Sequence, residues 1–158
     1  MRLEKVRLEF EPFIGEAERA FIVEGVDYHN IAATGLHDWC PVNFVLRGER
    51  CDVLGGLLGQ LWGGWLQIFH LWVAEAIRGQ GHGIRLMRDA EDYARSRGAV
   101  GATLETYSFQ AKGFYLRLGY EICGTLDWLS ARPCQILPEE VAGLILAASP
   151  RSQRRFDK

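Results

Sequence analysis

Three glycines stand at alternate positions in the segment IRGQGHGIRL, immediately before a charged segment with helical spacing. Glycine weakens the interior of a helix or strand, so three together indicate a backbone that must approach another group closely. The amides of such a loop, with the orphan amides of a first helical turn, can hold a phosphate or pyrophosphate. The alternative is a flexible turn between a strand and a helix.

Two common phosphate-binding loops do not fit this spacing. A Walker loop requires Lys and then Ser or Thr after the last glycine, whereas Gly83 is followed by Ile84 and Arg85. A dinucleotide-binding loop requires GxGxxG, whereas the spacing here is GxGxG and Leu86 occupies the close-packing position. The remaining phosphate-binding interpretation is a pyrophosphate held by backbone N–H groups, without a lysine.

The composition predicts one globular domain, residues 1–158, with 48% hydrophobic and 24% charged residues. The net charge of −2 gives no reason to expect a nucleic-acid partner. The charged N-terminus is not typical of a signal peptide, and the most apolar run, LWGGWLQIFHLWVA, is too short to cross a bilayer. The four cysteines lack the spacing of a zinc site, which predicts free thiols. We therefore expect a cytoplasmic protein with no metal and no membrane partner.

Hydrophobic periodicity predicts an α/β protein built around a mixed sheet. The strands are expected at Arg2–Phe10, twice within Asn43–Leu61, and at Trp65–Ala74, Val100–Thr106 and Tyr120–Leu126. Helices are expected at Ile14–Tyr28, with Ala17, Phe21 and Val23 inward, from the last glycine to a cap at Gly98, and around Phe114. In the second helix, Arg88 and Asp92 are expected to form an ion pair.

Two motifs resemble the GNAT superfamily of acetyl-CoA-dependent N-acetyltransferases. RGQGHG fits the signature R/Q-x-x-G-x-G/A, with Arg78, Gly81 and Gly83 at the defining positions. FYLRLGYE resembles the second motif, an aromatic pair on a helix followed by a glycine and a strand, and TYSFQAKGFYLRLGYE resembles a branch of small bacterial members. The strong resemblance covers Trp65 to Gly124, and after Asp127 the chain departs from the usual closing strand.

The resemblance implies a single GNAT fold: a mixed, mostly antiparallel sheet splayed at its centre, with helices on both faces. The pantetheine arm of acetyl-CoA is expected in the gap, and its pyrophosphate on the glycine loop. The residues expected to bind the coenzyme are Leu71, Trp72, Val73, Arg78, Gly79, Gln80, Gly81, His82, Gly83, Ile84 and Ser108.

The resemblance also implies a proton donor. Acetyl transfer requires a neutral amine and protonation of the departing thiolate. Tyr115 occupies the position where GNAT members commonly place the acid that protonates the coenzyme A sulfur. Because Tyr115 also falls on the apolar stripe of its helix, plain packing is the alternative role.

A free alkyl amine has a pKa of roughly 10, so a base is needed at neutral pH. Many GNAT members use a carboxylate or histidine on the long strand. Counted back from Val73 along one face of that strand, the residues expected to face the acetyl group are Phe69 and Gln67, and neither is a base. Glu75 is the first candidate. His70 is the second. Its opposite strand parity favours a histidine of the core or one that supports the site indirectly, unless a bulge near Leu71 changes that parity.

The segments DYHN and HDWCP, interpreted as polar and aromatic loops, are expected to form the acceptor pocket; surface loops anchored by Trp39 are the alternative. The candidate substrate contacts are Asp27, Tyr28, Asn30, Asp38, Trp39 and Glu105. Carboxylates and aromatic faces favour a cation. We therefore expect acetylation of a primary amine on a small molecule, such as an aminoglycoside or another amine antibiotic. A protein lysine or N-terminal acetyltransferase and a non-catalytic acyl-CoA sensor are the alternatives, and a homodimer is common in the superfamily.

Overall fold

The computed structural model describes residues 6–127 and 142–148. The chain divides into two compact units, Met1–His37 and Asp38–Lys158. A single domain over residues 1–158 stays a prediction.

The described residues of the first unit contain one long helix, α1 (Glu16–Thr34). The Glu18 carboxylate accepts the Gly15 amide at 2.9 Å, which caps its start, and Gly35 in a left-handed conformation ends it. The predicted helix at Ile14–Tyr28 is confirmed, but it continues to Thr34 because no glycine or proline lies between Tyr28 and Gly35.

Two predictions for this part of the chain are wrong. Phe21 and Val23, expected to face inward, are exposed, and no residue of α1 is buried. Residues 6–10 of the predicted strand Arg2–Phe10 have no regular structure, because alternation of side chains forms a strand only where a neighbouring strand supplies hydrogen bonds. Residues 2–5 lie outside the described residues.

The second unit contains a six-stranded sheet in the order β1-β2-β3-β4-β6-β5. Its strands are β1 (Cys40–Arg47), β2 (Val53–Trp62), β3 (Trp65–Val73), β4 (Gly101–Tyr107), β5 (Glu121–Asp127) and β6 (Ala142–Ala148). All neighbours are antiparallel except β3 and β4. The predicted mixed, mostly antiparallel sheet is confirmed.

The strand β6 was not predicted. Its sequence, AGLILAA, lies between β4 and β5 and pairs with both. Leu144, Leu146 and Ala148 are buried on one face, so β6 completes the sheet with a strand from the region after Asp127, where the chain was expected to depart from the usual closing strand.

The helix α2 (His82–Ser96) follows the glycine loop, and the helix α3 (Lys112–Arg117) follows β4. The α2 residues buried in the core are Leu86, Met87, Ala90 and Ala94. The predicted cap at Gly98 is confirmed by its left-handed φ of 87°. The prediction that Arg88 pairs with Asp92 is wrong. Asp92 pairs instead with Arg95, three residues later on the same helix.

Tyr120 fastens the start of β5 to α2. Its side chain is almost fully buried, and its hydroxyl donates a hydrogen bond of 2.9 Å to Oε1 of Glu91. Burial, followed by the Glu91 charge, raises the pKa of Tyr120 far above its ordinary value. The tyrosine therefore stays neutral and serves as a fixed hydrogen-bond donor.

The centre of the sheet is splayed, as expected. The parallel pairing of β3 with β4 runs from Trp65 opposite Gly101 to Ile68 opposite Leu104 and stops there, although both strands continue. The gap beyond Ile68 and Leu104 is called the split below.

A β-bulge lies at the start of the split. The register of β2 against β3 shifts by one between Leu58 and Gly59, which leaves Phe69 as the extra residue on β3. Gly59 permits this shift, because a Cβ at that position would lie 2.5 Å from the Gln67 carbonyl oxygen.

The bulge sets the direction of the side chains along β3. Leu66 and Ile68 before it, and Leu71 and Val73 after it, contribute to the core. Gln67 and His70 lie on the opposite side of the sheet, which is called the Gln67 face below. The predicted parity, which placed Gln67 on the same face as Val73, is therefore wrong.

Candidate active site

The glycine loop links β3 to α2 through a short 3-10 helix, Glu75–Ile77. Gly79 and Gly81 have left-handed φ values of 76° and 84°, which a glycine adopts without strain. Gly81 is the N-cap of α2, and the first helical hydrogen bond runs from the Arg85 amide to the Gly81 carbonyl. The preceding amides of the first turn therefore have no acceptor within the helix and are available to an anion.

Gly83 lies against an aromatic ring of α3. A Cβ at Gly83 would lie 3.4 Å from Cζ of Phe114. Any side chain at this position would therefore fill the space between the loop and that ring.

A cavity of about 420 Å³ lies between the end of β3, the glycine loop and α3. Predicted coenzyme contacts form most of its wall: Leu71, Val73, Arg78, Gly79, Gly81, His82, Gly83 and Ile84. The remaining wall residues are Ile77, Ala111, Phe114 and Arg117. The cavity combines an apolar floor from β3 with backbone amides and cationic side chains at its mouth.

Arg78 holds the loop to the end of β3. Its Nε donates a hydrogen bond of 2.9 Å to the Val73 carbonyl, and its own amide donates to the Glu75 carbonyl. The amide of Arg78, which was expected to contact the pyrophosphate, is thus already used. The guanidinium still lines the cavity, together with that of Arg117.

These features fit the two ends of an acyl-coenzyme A. Orphan amides, the positive end of α2 and two guanidinium groups suit a pyrophosphate. The open β3 edge beyond Ile68, where β4 no longer pairs, suits an extended arm with amide groups. The glycines leave room for both, which favours a binding loop over a merely flexible turn.

Three predicted coenzyme contacts do not line the cavity. Trp72 is exposed and lies on the Gln67 face, because it alternates with Leu71 and Val73. Gln80 is exposed within the loop, and Ser108 follows β4 in the turn that leads to α3. Their assignment to the coenzyme stays a prediction.

Tyr115 lies directly behind the cavity wall. Its buried ring makes edge-to-face contacts with Phe114, at a centroid distance of 5.1 Å, and with Tyr120 at 6.0 Å. Within residues 6–127 and 142–148, no hydrogen bond joins the Tyr115 hydroxyl to a partner, and no buried side-chain oxygen lacks one. The hydroxyl therefore reaches accessible space, and burial raises the pKa of Tyr115.

The two candidate bases occupy different places. Glu75 is exposed in the 3-10 helix after β3 has ended. His70 follows the bulge at the split, and its Nδ1 lies 2.5 Å from the Phe69 carbonyl oxygen. Because a carbonyl oxygen only accepts, this contact requires the proton on Nδ1 and leaves the Nε2 lone pair available in the neutral ring.

Glu105 flanks the other side of the split. It is the first β4 residue beyond the last β3–β4 pair, and it is exposed while its neighbours Leu104 and Thr106 are buried. Alternation therefore places Glu105 on the Gln67 face, as it does His70 on the facing strand.

The other predicted acceptor contacts lie on different elements of the chain. The Asp38 carboxylate accepts the Gly64 amide at 2.8 Å, at the hairpin that begins β3 rather than at the split. This hydrogen bond lowers the pKa of Asp38. Trp39 donates its indole N–H to Gln60 on β2 at 3.0 Å. The remaining three, Asp27, Tyr28 and Asn30, lie in α1 of the first unit, and the loop predicted for them is wrong.

Phe114 and Arg117 were not assigned to the site from the sequence. Phe114 and Arg117 stand three apart on α3 and so share a helical face that lines the cavity. This spacing could have identified Arg117. Gln110 accepts hydrogen bonds of 3.0 Å from the Thr106 hydroxyl and the Tyr107 amide, which closes the turn after β4.

The chain belongs to the acetyltransferase (GNAT) family, whose model matches residues 7–120. An acetyltransferase of Agrobacterium fabrum is 39% identical over 116 residues, which cover 73% of this chain and 84% of that protein. Blasticidin-S acetyltransferase of Streptomyces morookaense is 44% identical over 80 residues, which cover 50% of this chain and 59% of that protein. A crystal structure of an Agrobacterium tumefaciens acetyltransferase superposes with a TM-score of 0.79 at 29% identity and covers 91% of this chain and 99% of that one. The family makes this chain an acyl-CoA-dependent N-acetyltransferase.

Within the described part of the chain, no helix is long and apolar enough to cross a membrane. The same residues contain no cluster of His, Cys, Asp and Glu that could hold a metal ion.

Proposed function

We propose that this chain transfers the acetyl group of acetyl-CoA to a primary amine of a cationic small molecule, of the amine-antibiotic class. The observation that carries the proposal is the cavity at the split, where the N-terminus of α2, the glycine loop and Arg117 surround one end of an apolar channel. Bound acetyl-CoA would supply an activated acetyl group. The residues of this chain would bind it, admit an amine and move protons.

The coenzyme would be held mainly by backbone. The amides at the start of α2 and the guanidinium of Arg117 would neutralise the pyrophosphate. Leu71 and Val73 would form the apolar wall beside the arm that carries the acetyl group. Phe114, packed against Gly83, would close the opposite side.

Tyr115 would serve as the proton donor. Its raised pKa keeps the phenol protonated at neutral pH, which a general acid requires. Tyr120 is the other buried tyrosine beside it, but its hydroxyl is already committed to Glu91. Of the two, only Tyr115 has a hydroxyl without a partner among the described residues.

His70 is favoured over Glu75 as the base. The bulge places His70 at the split, and the contact with the Phe69 carbonyl leaves Nε2 able to accept a proton from the amine, directly or through a water. Glu75 lies beyond the end of β3. Glu105, across the split, would attract the ammonium form of the acceptor before its deprotonation.

The acceptor class rests on this charge and on one relative. An exposed carboxylate beside the split favours cations and repels acidic amines. Blasticidin-S acetyltransferase, which matches half of this chain, is by name an antibiotic acetyltransferase.

The test is release of free coenzyme A thiol from acetyl-CoA with a panel of acceptors at matched ionic strength. The panel contains blasticidin S, an aminoglycoside, a polyamine, a lysine peptide and glutamate. We expect the cationic antibiotics to give the highest kcat/KM and glutamate the lowest.

Each other result has a specific meaning. Highest kcat/KM with glutamate would overturn the cationic acceptor site. A preference for the lysine peptide would favour a protein acetyltransferase. Tight binding of acetyl-CoA with no thiol release for any amine would favour an acyl-CoA sensor.

A further inference from the structure

Three side chains on the Gln67 face form a hydrogen-bonded chain across two strands. The indole Nε1 of Trp39 donates to Oε1 of Gln60 at 3.0 Å. Nε2 of Gln60 in turn donates to Oε1 of Gln67 at 2.8 Å. Gln60 on β2 and Gln67 on β3 are direct partners in the sheet register, so this contact is held by the backbone pairing.

The direction of the chain is fixed by chemistry. An indole N–H can only donate, so Gln60 must turn its oxygen towards Trp39 and its NH₂ group towards Gln67. Gln67 must then present its oxygen to Gln60. The orientation of both amides, which diffraction alone often leaves ambiguous, is determined by the tryptophan at the end of the chain.

The NH₂ group of Gln67 is consequently a fixed donor without a partner among the described residues. Gln67 is half-buried, but no buried nitrogen in residues 6–127 and 142–148 lacks a partner, so this nitrogen faces accessible space. Thr103, its neighbour in the β3–β4 register, already donates its hydroxyl to the Leu146 carbonyl at 3.2 Å.

Gln67 lies immediately below the split on the face that carries His70 and Glu105. The pair Gln67–Thr103 is the last but one before β3 and β4 separate. Residues on one face of a strand are roughly 7 Å apart, so Gln67 lies within about one such step of both groups at the split. A small amine held between His70 and Glu105 would therefore extend over Gln67.

We propose that Gln67 is a specificity-determining residue that donates a hydrogen bond to an oxygen atom of the acceptor, about 5 Å from the amine that is acetylated. The inference rests on the proposed function. The acceptor class is accordingly a primary amine that carries a carbonyl, ether or hydroxyl oxygen three or four bonds away. A preorganised donor discriminates by the hydrogen bond that an analogue without the oxygen cannot make.

The experiment compares two amines of equal length, 3-methoxypropylamine and pentylamine, which differ by one ether oxygen in place of a methylene. The measurement is the ratio of their kcat/KM values. We expect the native enzyme to favour 3-methoxypropylamine by about 10-fold, the usual scale of one well-placed hydrogen bond.

Two substitutions remove the donor in different ways. Gln67→Glu still accepts from Gln60 but has no NH₂ group, so the ratio should fall to about 1 or below. Gln60→Glu accepts from both neighbours and should turn the Gln67 oxygen outward, with the same effect on the ratio. The second variant leaves residue 67 unchanged and provides the test if the first does not fold.

Asn43→Asp is the control. It makes the same change of amide to carboxylate on an exposed residue of β1, two strands from the split. It should leave the ratio near its native value, and the acetyl-CoA Kd should be unchanged in all three variants. A native ratio near 1, no turnover of either amine, or a native ratio retained in Gln67→Glu would overturn the inference. The proposed function is tested separately by the larger panel: it fails if no amine is acetylated, or if glutamate or the lysine peptide gives the highest kcat/KM.

Discussion

The two sides of the split are built from different parts of the chain. On the proposed coenzyme side, six of the twelve described cavity residues come from one short segment, residues 78–79 and 81–84, where glycines leave space and the first amides of α2 have no acceptor within the helix. On the Gln67 face, the proposed acceptor contacts are side chains on two strands: Gln67 and His70 on β3, and Glu105 on β4. A site built from backbone keeps the same ligand when side chains change, because it depends on the conformation of one short segment. A site built from side chains can acquire a different ligand when individual residues on its strands are substituted.

The largest effect is expected at Tyr115, whose proton would be needed when the acetyl group passes from the coenzyme to the amine. Tyr115→Phe should lower kcat by roughly 100-fold or more while the Kd for acetyl-CoA stays the same, because only the proton donor is removed. Burial raises the pKa of Tyr115 above its ordinary value of 10.0, so native activity should not fall through loss of the Tyr115 proton until the pH is above that value. Steady-state rates and calorimetry measure the two quantities. An unchanged kcat in this variant would assign protonation of the sulfur to another group or to water.

The next effect distinguishes the two candidate bases. His70→Gln should lower kcat by roughly 10- to 100-fold, since the ring nitrogen that accepts the proton is lost. Glu75→Gln, at the end of β3, should change kcat less than about 3-fold. Rates at saturating amine and acetyl-CoA make the comparison, and the reverse ranking of the two variants would restore Glu75 as the base.

Arg117→Gln should affect the coenzyme side alone. Loss of one guanidinium at the mouth of the cavity should raise the Kd for acetyl-CoA by about 10-fold and weaken its dependence on salt, with the KM for the amine unchanged. Titrations at two ionic strengths measure this. A change confined to the amine KM would place Arg117 on the acceptor side.

The smallest effect is expected at Asp38, which lies on neither side of the split. The Gly64 amide lowers its pKa below the ordinary value of 3.8, so its contribution to stability is present above that pH and is lost as the pH falls through the lower folded pKa. Asp38→Asn should therefore melt slightly below the native protein at pH 7, and the difference in Tm should shrink as the pH falls below 3.8, with native kcat/KM throughout. A large loss of kcat/KM would return Asp38 to the acceptor site.

The same contrast explains what could be predicted from the sequence. The glycine loop, α2 and the strand before it carry local signals, because a left-handed glycine, a helix cap and an apolar stripe each depend on nearby residues. The cap at Gly98 could be predicted correctly for this reason. Arg117 was missed although its three-residue spacing from Phe114 is also local.

The Gln67 face could not be predicted because it depends on the register between strands. The bulge at Phe69 arises from the pairing of β3 with β2, and a shift by one residue exchanges the two faces of the strand. The chain of Trp39, Gln60 and Gln67 likewise requires positions far apart in the sequence to be direct neighbours. The strand β6 could not be predicted from its sequence AGLILAA, because a short apolar run is equally compatible with a buried strand and with a segment of a buried helix.

Calorimetric titration of acetyl-CoA into Gly81→Val tests the central claim most directly, with Gly98→Val as the matched control. Gly81 and Gly98 flank the two ends of α2 with left-handed φ values of 84° and 87°, and a Cβ at either would meet nothing within 4 Å, so valine strains the backbone similarly at both. Of the two, only Gly81 lines the cavity. We predict that Gly81→Val loses at least about 10-fold in affinity, the scale of one lost hydrogen bond to a charged group, while Gly98→Val binds normally. Native affinity in Gly81→Val would contradict the assignment of this loop to the coenzyme.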